Sequence, residues 1–305
     1  MTLEPDIITD RRRLRRRLTF WRIAAIIGAL AVILVVAGEF DRVRSVAQRD
    51  HIARINVEGL IVDDEARRLA VDLAGKNDST KAIVLRIDSP GGTTVGGEAL
   101  YQALRRAGED KPVVAVIGTL GTSAGYMVAL AADHIIARDT SVTGSIGVLL
   151  QTTEILGLLE KLGIRTETIK SSPLKAVPSP FEELTPEGRA AAQAVVDDVY
   201  GWFVDLFAER RGLTRETALE LADGRVFTGR QALSAGLVDG IGGEREAIEW
   251  LESARDIEPN LPVRELDQGS KRGFLIDLIA TVSKKTLLSE RLSLDGLISV
   301  WQPDR

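Results

Sequence analysis

The sequence contains no cysteine and only two histidines, His51 and His134, among its 305 residues. The absence of cysteine excludes thiol nucleophiles, zinc–thiolate sites and disulfide bonds. Two histidines are too few for a zinc site built from several imidazoles, so we expect no bound metal and no other cofactor. The net charge of −5 argues against a nucleic-acid partner, which usually binds a basic domain.

Positive charge is concentrated at the N-terminus, where residues 1–22 hold seven arginines against three acidic residues. An uncharged apolar run follows at 23–38 and, with its flanks, approaches the roughly 20 residues needed to cross a bilayer. We therefore predict a basic cytoplasmic segment at 1–22 and a transmembrane anchor in the lipid bilayer at 23–40. The rest of the chain is then on the extracytoplasmic side. A cleaved signal peptide is the rival interpretation, but the basic stretch is long and no clear A-x-A site follows.

Short β-branched segments alternate with helical patterns in the next part of the chain. This rhythm predicts an α/β fold, with parallel strands covered by helices. The predicted strands are 51–57, 81–87, 112–118, 134–138 and 164–169, and the predicted helices are 64–76, 95–107, 123–132 and 152–162.

Beyond Pro180 the sequence becomes mainly helical. Thr185 followed by Pro186 is a plausible helix start, with threonine as the cap, and the helix could run to Arg211. Residues 256–272 read as a linker, and residues 273–305 as an amphipathic tail whose apolar run is too short to cross a membrane.

The stretch "GTSAG" places Ser123 in a G-x-S-x-G pattern, which is typical of a nucleophile on a tight strand-to-helix turn. A serine hydroxyl needs a base to take its proton. The α/β-hydrolase order requires an acid and then a histidine after the serine, but His134 follows Ser123 by only eleven residues. We interpret His134 as an ordinary residue at a strand start and His51 as a surface residue near the anchor. The base is therefore expected to be a lysine.

A second glycine motif, "DSPGG", ends at Gly92 after the strand predicted at 81–87. Adjacent glycines allow a substrate to approach bare backbone closely. Peptide N–H groups at Gly91, Gly92 and Ala124 could converge on a developing oxyanion. The alternative interpretation is a generic strand-to-helix loop.

The order of these motifs resembles that of the signal peptide peptidases of the SppA (protease IV) family. The resemblance covers roughly residues 52–250, and we take 51–250 as the peptidase domain. It implies a Clp protease/crotonase-like fold, a parallel-sheet βαβ superhelix with a helical C-terminal part. The blocks that carry it are "INVEGLI" (55–61), "LRIDSPGG" (85–92), "GTSAGYMVALAAD" (121–133), "VTGSIGV" (142–148), "IKSSPLKAVPSPFEELTPE" (169–187) and "VFTGRQALSAGLVDGIGG" (226–243).

The resemblance implies a Ser–Lys dyad, with Ser123 as nucleophile, Lys175 as base and Ser145 holding the lysine by a hydrogen bond. The oxyanion hole would combine the Ala124 N–H with that of Gly91 or Gly92. Most bacterial relatives have glycine at the position of Ala124, but alanine keeps the N–H.

The surroundings of Lys175 in "SSPLKAVPSP" are uncharged, and burial against apolar groups lowers the pKa of a lysine until it can act as a base. Two competing candidates are Lys161, on an amphipathic helix, and Lys170, at a predicted strand end.

The resemblance further implies a serine endopeptidase of the bacterial inner membrane that degrades remnant signal peptides and other extended apolar peptides. Its catalytic units would form homo-oligomeric rings in which neighbouring subunits share a site. Two other classes stay open: an acyl-CoA enzyme of the crotonase fold, and a catalytically silent membrane scaffold.

Overall fold

The structure, a computed structural model, describes Trp21, residues 49–266 and the backbone of residues 298–300. The chain divides into two units, Met1–Arg49 and Asp50–Arg305. In the first, Trp21 is helical and exposed. The anchor predicted at 23–40 and most of the tail predicted at 273–305 lie outside the described residues. Within the described part of the chain, no helix has the length and apolar character needed to cross a bilayer.

The second unit is built on a mixed sheet that contains nine strands among the described residues. Apolar, β-branched side chains dominate the central strands, as expected for strands buried on both faces. The strands are β1 (His51–Ile61), β2 (Thr80–Thr93), β3 (Val113–Thr122), β4 (His134–Ala137), β5 (Val142–Gly144), β6 (Val226–Thr228), β7 (Gly240–Ile241), β8 (Val263–Glu265) and β9 (Ile298–Val300).

The strand order is β6-β5-β3-β2-β1-β8, with β4 joining β3 to β7 and β9 paired to β2. The pairs are parallel except for β5–β6 and β2–β9. Strand β3 pairs with β2 only as far as Ser89 opposite Gly121, and β9 pairs with β2 beyond that point. The carboxyl ends of β2 and β3 therefore diverge, and it is there that the glycine motifs lie.

Eight helices connect or cover the described strands. Several begin where a side chain accepts a hydrogen bond from the first turn, and the predicted start of the longest one is confirmed, since Thr185 accepts from the Gly188 N–H at 3.1 Å. The helices are α1 (Glu65–Lys76), α2 (Thr94–Ala107), α3 (Ala124–Ala129), α4 (Leu156–Lys161), α5 (Pro186–Arg211), α6 (Arg215–Leu221), α7 (Gly229–Ser234) and α8 (Glu244–Ala254).

Alternate residues of the central strands pack on opposite faces of the sheet. Leu85 and its alternates pack with helices α2, α3 and α5, where Tyr126 and Phe207 are fully buried. Val84 and its alternates pack with Leu251 of α8. The predicted parallel α/β architecture is therefore confirmed.

The structure corrects three of the local predictions. Residues 164–169 form no strand, and Ile169 is 94% exposed. His51 is buried rather than on the surface, with Nε2 lying 3.3 Å from the Thr80 hydroxyl. Within the predicted linker, Val263–Glu265 forms β8 and pairs with β1, so these residues belong to the sheet.

Candidate active site

Ser123 lies on the turn between β3 and α3, as the G-x-S-x-G pattern predicts. Its backbone has φ 56° and ψ −120°, and its side chain is 1% exposed. The turn is held on both sides, because the Ser123 N–H donates to the Gly144 carbonyl at 2.8 Å and the Ser123 carbonyl accepts from the Met127 N–H at 2.9 Å. Holding a non-glycine residue in this conformation costs about 1–3 kcal/mol of folding free energy. The conformation therefore persists only where the surrounding structure imposes it.

The structure brings Ser145 next to Ser123. Thr122 and Gly144 are register partners in the parallel pair β3–β5, so the two serines directly follow paired residues. Ser145 also has a positive φ, 51°, and it is 9% exposed. Its N–H donates to the Arg225 carbonyl at 2.8 Å. Two strained serines thus lie side by side at the carboxyl edge of the sheet.

The "DSPGG" segment at the end of β2 also contacts the Ser123 turn. The Thr122 hydroxyl donates to the Pro90 carbonyl at 3.1 Å. A Cβ on Gly125 would lie 2.9 Å from the Ser89 carbonyl oxygen, so only glycine permits this approach. The start of α3, whose first residue is Ala124, therefore packs directly against the glycine segment.

The hydroxyl of Ser89 organises the glycine segment, a role that the sequence analysis missed. It donates to the Gly59 carbonyl at 2.6 Å and accepts from the Gly91 N–H at 3.1 Å. Ser89 is completely buried, and Gly91 has φ 110°. To bind an oxyanion, the Gly91 N–H would have to leave this hydroxyl. A serine just before a Pro-Gly-Gly turn was the available signal.

Gly92 is required by the packing of β1 on β2. It pairs with Ile61, and a Cβ on Gly92 would overlap the Ile61 carbonyl oxygen, which is backbone and cannot rotate away. We expect Gly92→Ala to lower the free energy of unfolding by more than about 2 kcal/mol, because two paired strands must separate. Denaturant unfolding followed by circular dichroism measures this change.

The matched control for that variant is Gly157→Ala in α4, where a new Cβ meets no atom within 4 Å. Its unfolding free energy should stay within about 0.5 kcal/mol of the wild type. Equal stability of Gly92→Ala and wild type would contradict the pairing of Ile61 with Gly92.

Both histidines lie far from Ser123, at the amino ends of the strands. His134 pairs with Val114, which is eight residues before Thr122 on β3, or roughly 26 Å away along the strand. His51 pairs with Thr80, at the start of β2, whereas the glycine motif is at its end. Neither imidazole can reach the serine hydroxyl.

The environment of His134 is structural. Its ring stacks on that of Trp250, with the centroids 4.6 Å apart. Partial burial lowers the pKa of His134, although Asp239 opposes this shift. Tyr126, on the helix that follows Ser123, is no alternative base, because burial raises its pKa and its hydroxyl donates to the Leu237 carbonyl at 2.8 Å.

Lys175 lies in an irregular segment, residues 149–181, that contains only the short helix α4. Its side chain is exposed, and its N–H donates to the Ser172 carbonyl at 3.1 Å. The apolar burial expected around this lysine is therefore not supplied by the chain itself. Lys170 is paired with Glu182, so this competing candidate is bound to a carboxylate.

In the part of the chain that the structure describes, no three histidine, aspartate or glutamate side chains are grouped so that they could hold a metal ion.

The backbone of β9 pairs with the edge of β2 at this site. Val300, Ser299 and Ile298 pair antiparallel with Gly91, Gly92 and Thr93. The edge of β2 beside the Ser123 turn thus accepts an extended peptide strand.

The sequence of this chain is similar to those of known proteases. A family model described as Peptidase family S49 matches residues 105–258, and one described as Clp protease matches residues 41–141. A predicted protease of Synechocystis sp. is 42% identical over 215 residues, which are 70% of this chain and 77% of that protein.

Two longer relatives carry functional names. The chloroplastic serine protease SPPA of Arabidopsis thaliana is 32% identical over 219 residues, which are 72% of this chain and 32% of that protein. Protease 4 of Haemophilus influenzae is 30% identical over 262 residues, which are 82% of this chain and 41% of that protein. The chain thus spans less than half the length of these two relatives.

Proposed function

Because the chain belongs to peptidase family S49, and is therefore a serine peptidase, we propose that it cleaves peptide bonds with Ser123 as nucleophile and Lys175 as general base. One observation carries the choice of Ser123. It is a buried serine held at a positive φ on a strand-to-helix turn, with the Ala124 N–H and the glycine segment of β2 beside it. Membership of a serine peptidase family argues against the two alternatives, an acyl-CoA enzyme of the crotonase fold and a catalytically silent membrane scaffold.

The proposed reaction uses side chains and backbone N–H groups of this site together with one water molecule. The neutral amine of Lys175 takes the proton of the Ser123 hydroxyl while the oxygen attacks the peptide carbonyl. The N–H groups of Ala124 and of Gly91 or Gly92 stabilise the resulting oxyanion. The ammonium then gives its proton to the leaving amine, and water hydrolyses the acyl-enzyme by the reverse transfers. Ser145 orients the lysine amine by a hydrogen bond.

The exposure of Lys175 supports a site that is completed by a second copy of the chain. The segment that carries it presents apolar side chains to solvent, which in a soluble domain is typical of an interface. We place the contact between neighbouring subunits of a homo-oligomeric ring on this segment. Its exposed apolar residues are Leu149, Leu158, Leu162, Ile164, Ile169, Leu174 and Phe181.

The substrates in this proposal are extended apolar peptides, such as the remnants of cleaved signal peptides. The pairing of β9 with β2 supports binding by strand addition at Gly91 to Thr93. Residues 23–40 anchor the protein in the bacterial inner membrane, with the N-terminus in the cytoplasm and the catalytic unit outside it, because seven arginines precede the apolar run.

A membrane-impermeant fluorophosphonate probe tests both the activity and the topology. We expect intact spheroplasts that produce the full chain to show labelling of this protein, with the phosphonyl group on the Ser123 oxygen and loss of fluoride. The measurement is peptide mapping of the labelled protein, with Ser123→Ala as the unlabelled control.

Three other outcomes would contradict parts of the proposal. Labelling that occurs only after lysis would place the catalytic unit in the cytoplasm. Labelling at another serine, or none after lysis, would refute Ser123 as the nucleophile.

A further inference from the structure

A cavity of about 680 Å³ lies between the start of α2 and the middle of α5. Its apolar lining includes Val95 and Trp202, which are 50% and 36% exposed. Its polar lining is dominated by carboxylates. The complete lining is Thr94, Val95, Glu98, Asp197, Asp198, Val199, Gly201, Trp202 and Asp205.

The negative charge of this cavity is largely uncompensated. Asp205 is paired with Arg215 at 2.9 Å, but none of the other three carboxylates forms an ion pair with a described residue. Glu98 accepts a hydrogen bond from Gln102 at 2.9 Å, and Asp197 accepts one from Gln193 at 2.7 Å. Amide donors leave the carboxylate charge in place, and none of the described residues lining the cavity is basic. The cavity therefore suits a cationic side chain with an apolar stem.

The cavity is close to the site of peptide cleavage along the chain. Helix α2 begins at Thr94, two residues after Gly92, and Thr94 and Val95 line the cavity. The carboxylate of Glu98 is one helical turn further on. A group in the cavity is thus adjacent to any peptide that binds the edge of β2 at Gly91 to Thr93.

Strand β9 shows in which direction such a peptide runs. It is antiparallel to β2, with its first residue opposite Thr93 and its last opposite Gly91. A substrate that replaces β9 in this register has its reacting carbonyl near Gly91 and its upstream residues leading past Thr93 towards the cavity. At about 3.3 Å per residue, the cavity is reached roughly four to six positions upstream of the cleaved bond.

We propose that this cavity is a substrate subsite that selects a lysine or arginine four to six residues upstream of the cleaved bond, counted roughly by strand spacing. The aliphatic stem packs on Val95 and Trp202, and the cation lies among Glu98, Asp197 and Asp198. The substrate class is then a peptide with a basic residue followed by an apolar stretch. This inference rests on the proposed peptidase function and deepens it.

The test compares quenched-fluorescent peptides that share one apolar cleavage segment and differ in a single upstream residue, placed in turn at each of the three positions. The residue is lysine, glutamine or glutamate. For the full chain we expect kcat/KM to be roughly tenfold higher for the best lysine peptide than for its glutamate counterpart. The reason is that the carboxylates of the cavity attract a lysine side chain and repel a glutamate side chain. The ratio should shrink at high salt.

The variant Glu98→Gln/Asp197→Asn/Asp198→Asn should bring this ratio close to one. Its matched control is Asp78→Asn/Glu109→Gln/Asp110→Asn, which removes three exposed carboxylates away from the cavity. The control should keep the wild-type ratio. Thermal melting of both variants checks that each is folded.

Binding provides a second measurement that does not depend on turnover. Fluorescence anisotropy with the Ser123→Ala protein should show the same preference for the lysine peptide. Equal affinities for the lysine and glutamate peptides, or a preference retained by the cavity variant, would overturn the subsite. Cleavage that continues in Ser123→Ala would instead overturn the proposed function, so the two failures are distinguishable.

Discussion

Replacing Ser123 by alanine is expected to lower kcat/KM for peptide hydrolysis by at least about 10³-fold, because the variant has no hydroxyl to form the acyl-enzyme. The fold should persist. The Ser123 side chain makes no N-cap hydrogen bond to α3, and the hydrogen bonds that hold the turn are made by the backbone. Peptide cleavage assays and thermal melting of the purified variant measure both effects.

A buried structural serine provides the control for this variant. The Ser141 hydroxyl accepts from the Arg138 N–H at 2.9 Å and donates to the Gly118 carbonyl, but it has no part in the proposed chemistry. Ser141→Ala should lower the melting temperature and keep cleavage activity per folded molecule. If Ser123→Ala showed this pattern instead, Ser123 would be a structural residue.

Replacing Lys175 by arginine is expected to remove activity as completely as replacing it by alanine, by at least about 10²-fold. Arginine keeps the positive charge and similar length, but it cannot give up a proton at working pH and so cannot act as the base. Both variants should fold normally because the side chain is exposed.

Lys170→Arg is the matched control, because arginine can retain the ion pair with Glu182. It should keep most of the wild-type activity. Near wild-type cleavage by Lys175→Arg would contradict the dyad and return Lys170 to consideration.

Mixed oligomers test whether the dyad is shared between copies. If Lys175 serves the Ser123 of a neighbour, refolding equal amounts of Ser123→Ala and Lys175→Ala should restore about a quarter of wild-type activity, because one neighbouring pair in four is complete. A mixture as inactive as its parents would place both residues of the dyad in one subunit.

Much of the central sheet could be predicted from sequence because its strands are locally encoded. The β-branched segments beginning near residues 51, 81, 112 and 134 all form strands, and Thr185-Pro186 starts the helix α5. The same rule failed at 164–169, where β-branched residues alternate as in a strand but pair with no strand in the part of the chain that the structure describes. Strands β5 and β6 have three residues each, too few for any periodicity to be recognised.

The sequence by itself determined the kind of chemistry that is available. The sequence has no cysteine and only two histidines, and Ser123 lies in a glycine motif. The expected base was therefore a lysine. These conclusions need only residue types and spacing, because a missing functional group excludes a mechanism whatever the fold.

Only the tertiary structure decided which residues meet. The pairing of β3 with β5 sets Ser145 beside Ser123, and the parallel strands carry His51 and His134 to the opposite edge from the serine. Lys175 is exposed in the single chain, although its neighbours in sequence are uncharged. The acidic cavity brings together Glu98 and Asp197, which are about a hundred residues apart in the sequence. Contacts of that separation arise from strand register and helix packing, which local sequence patterns do not encode.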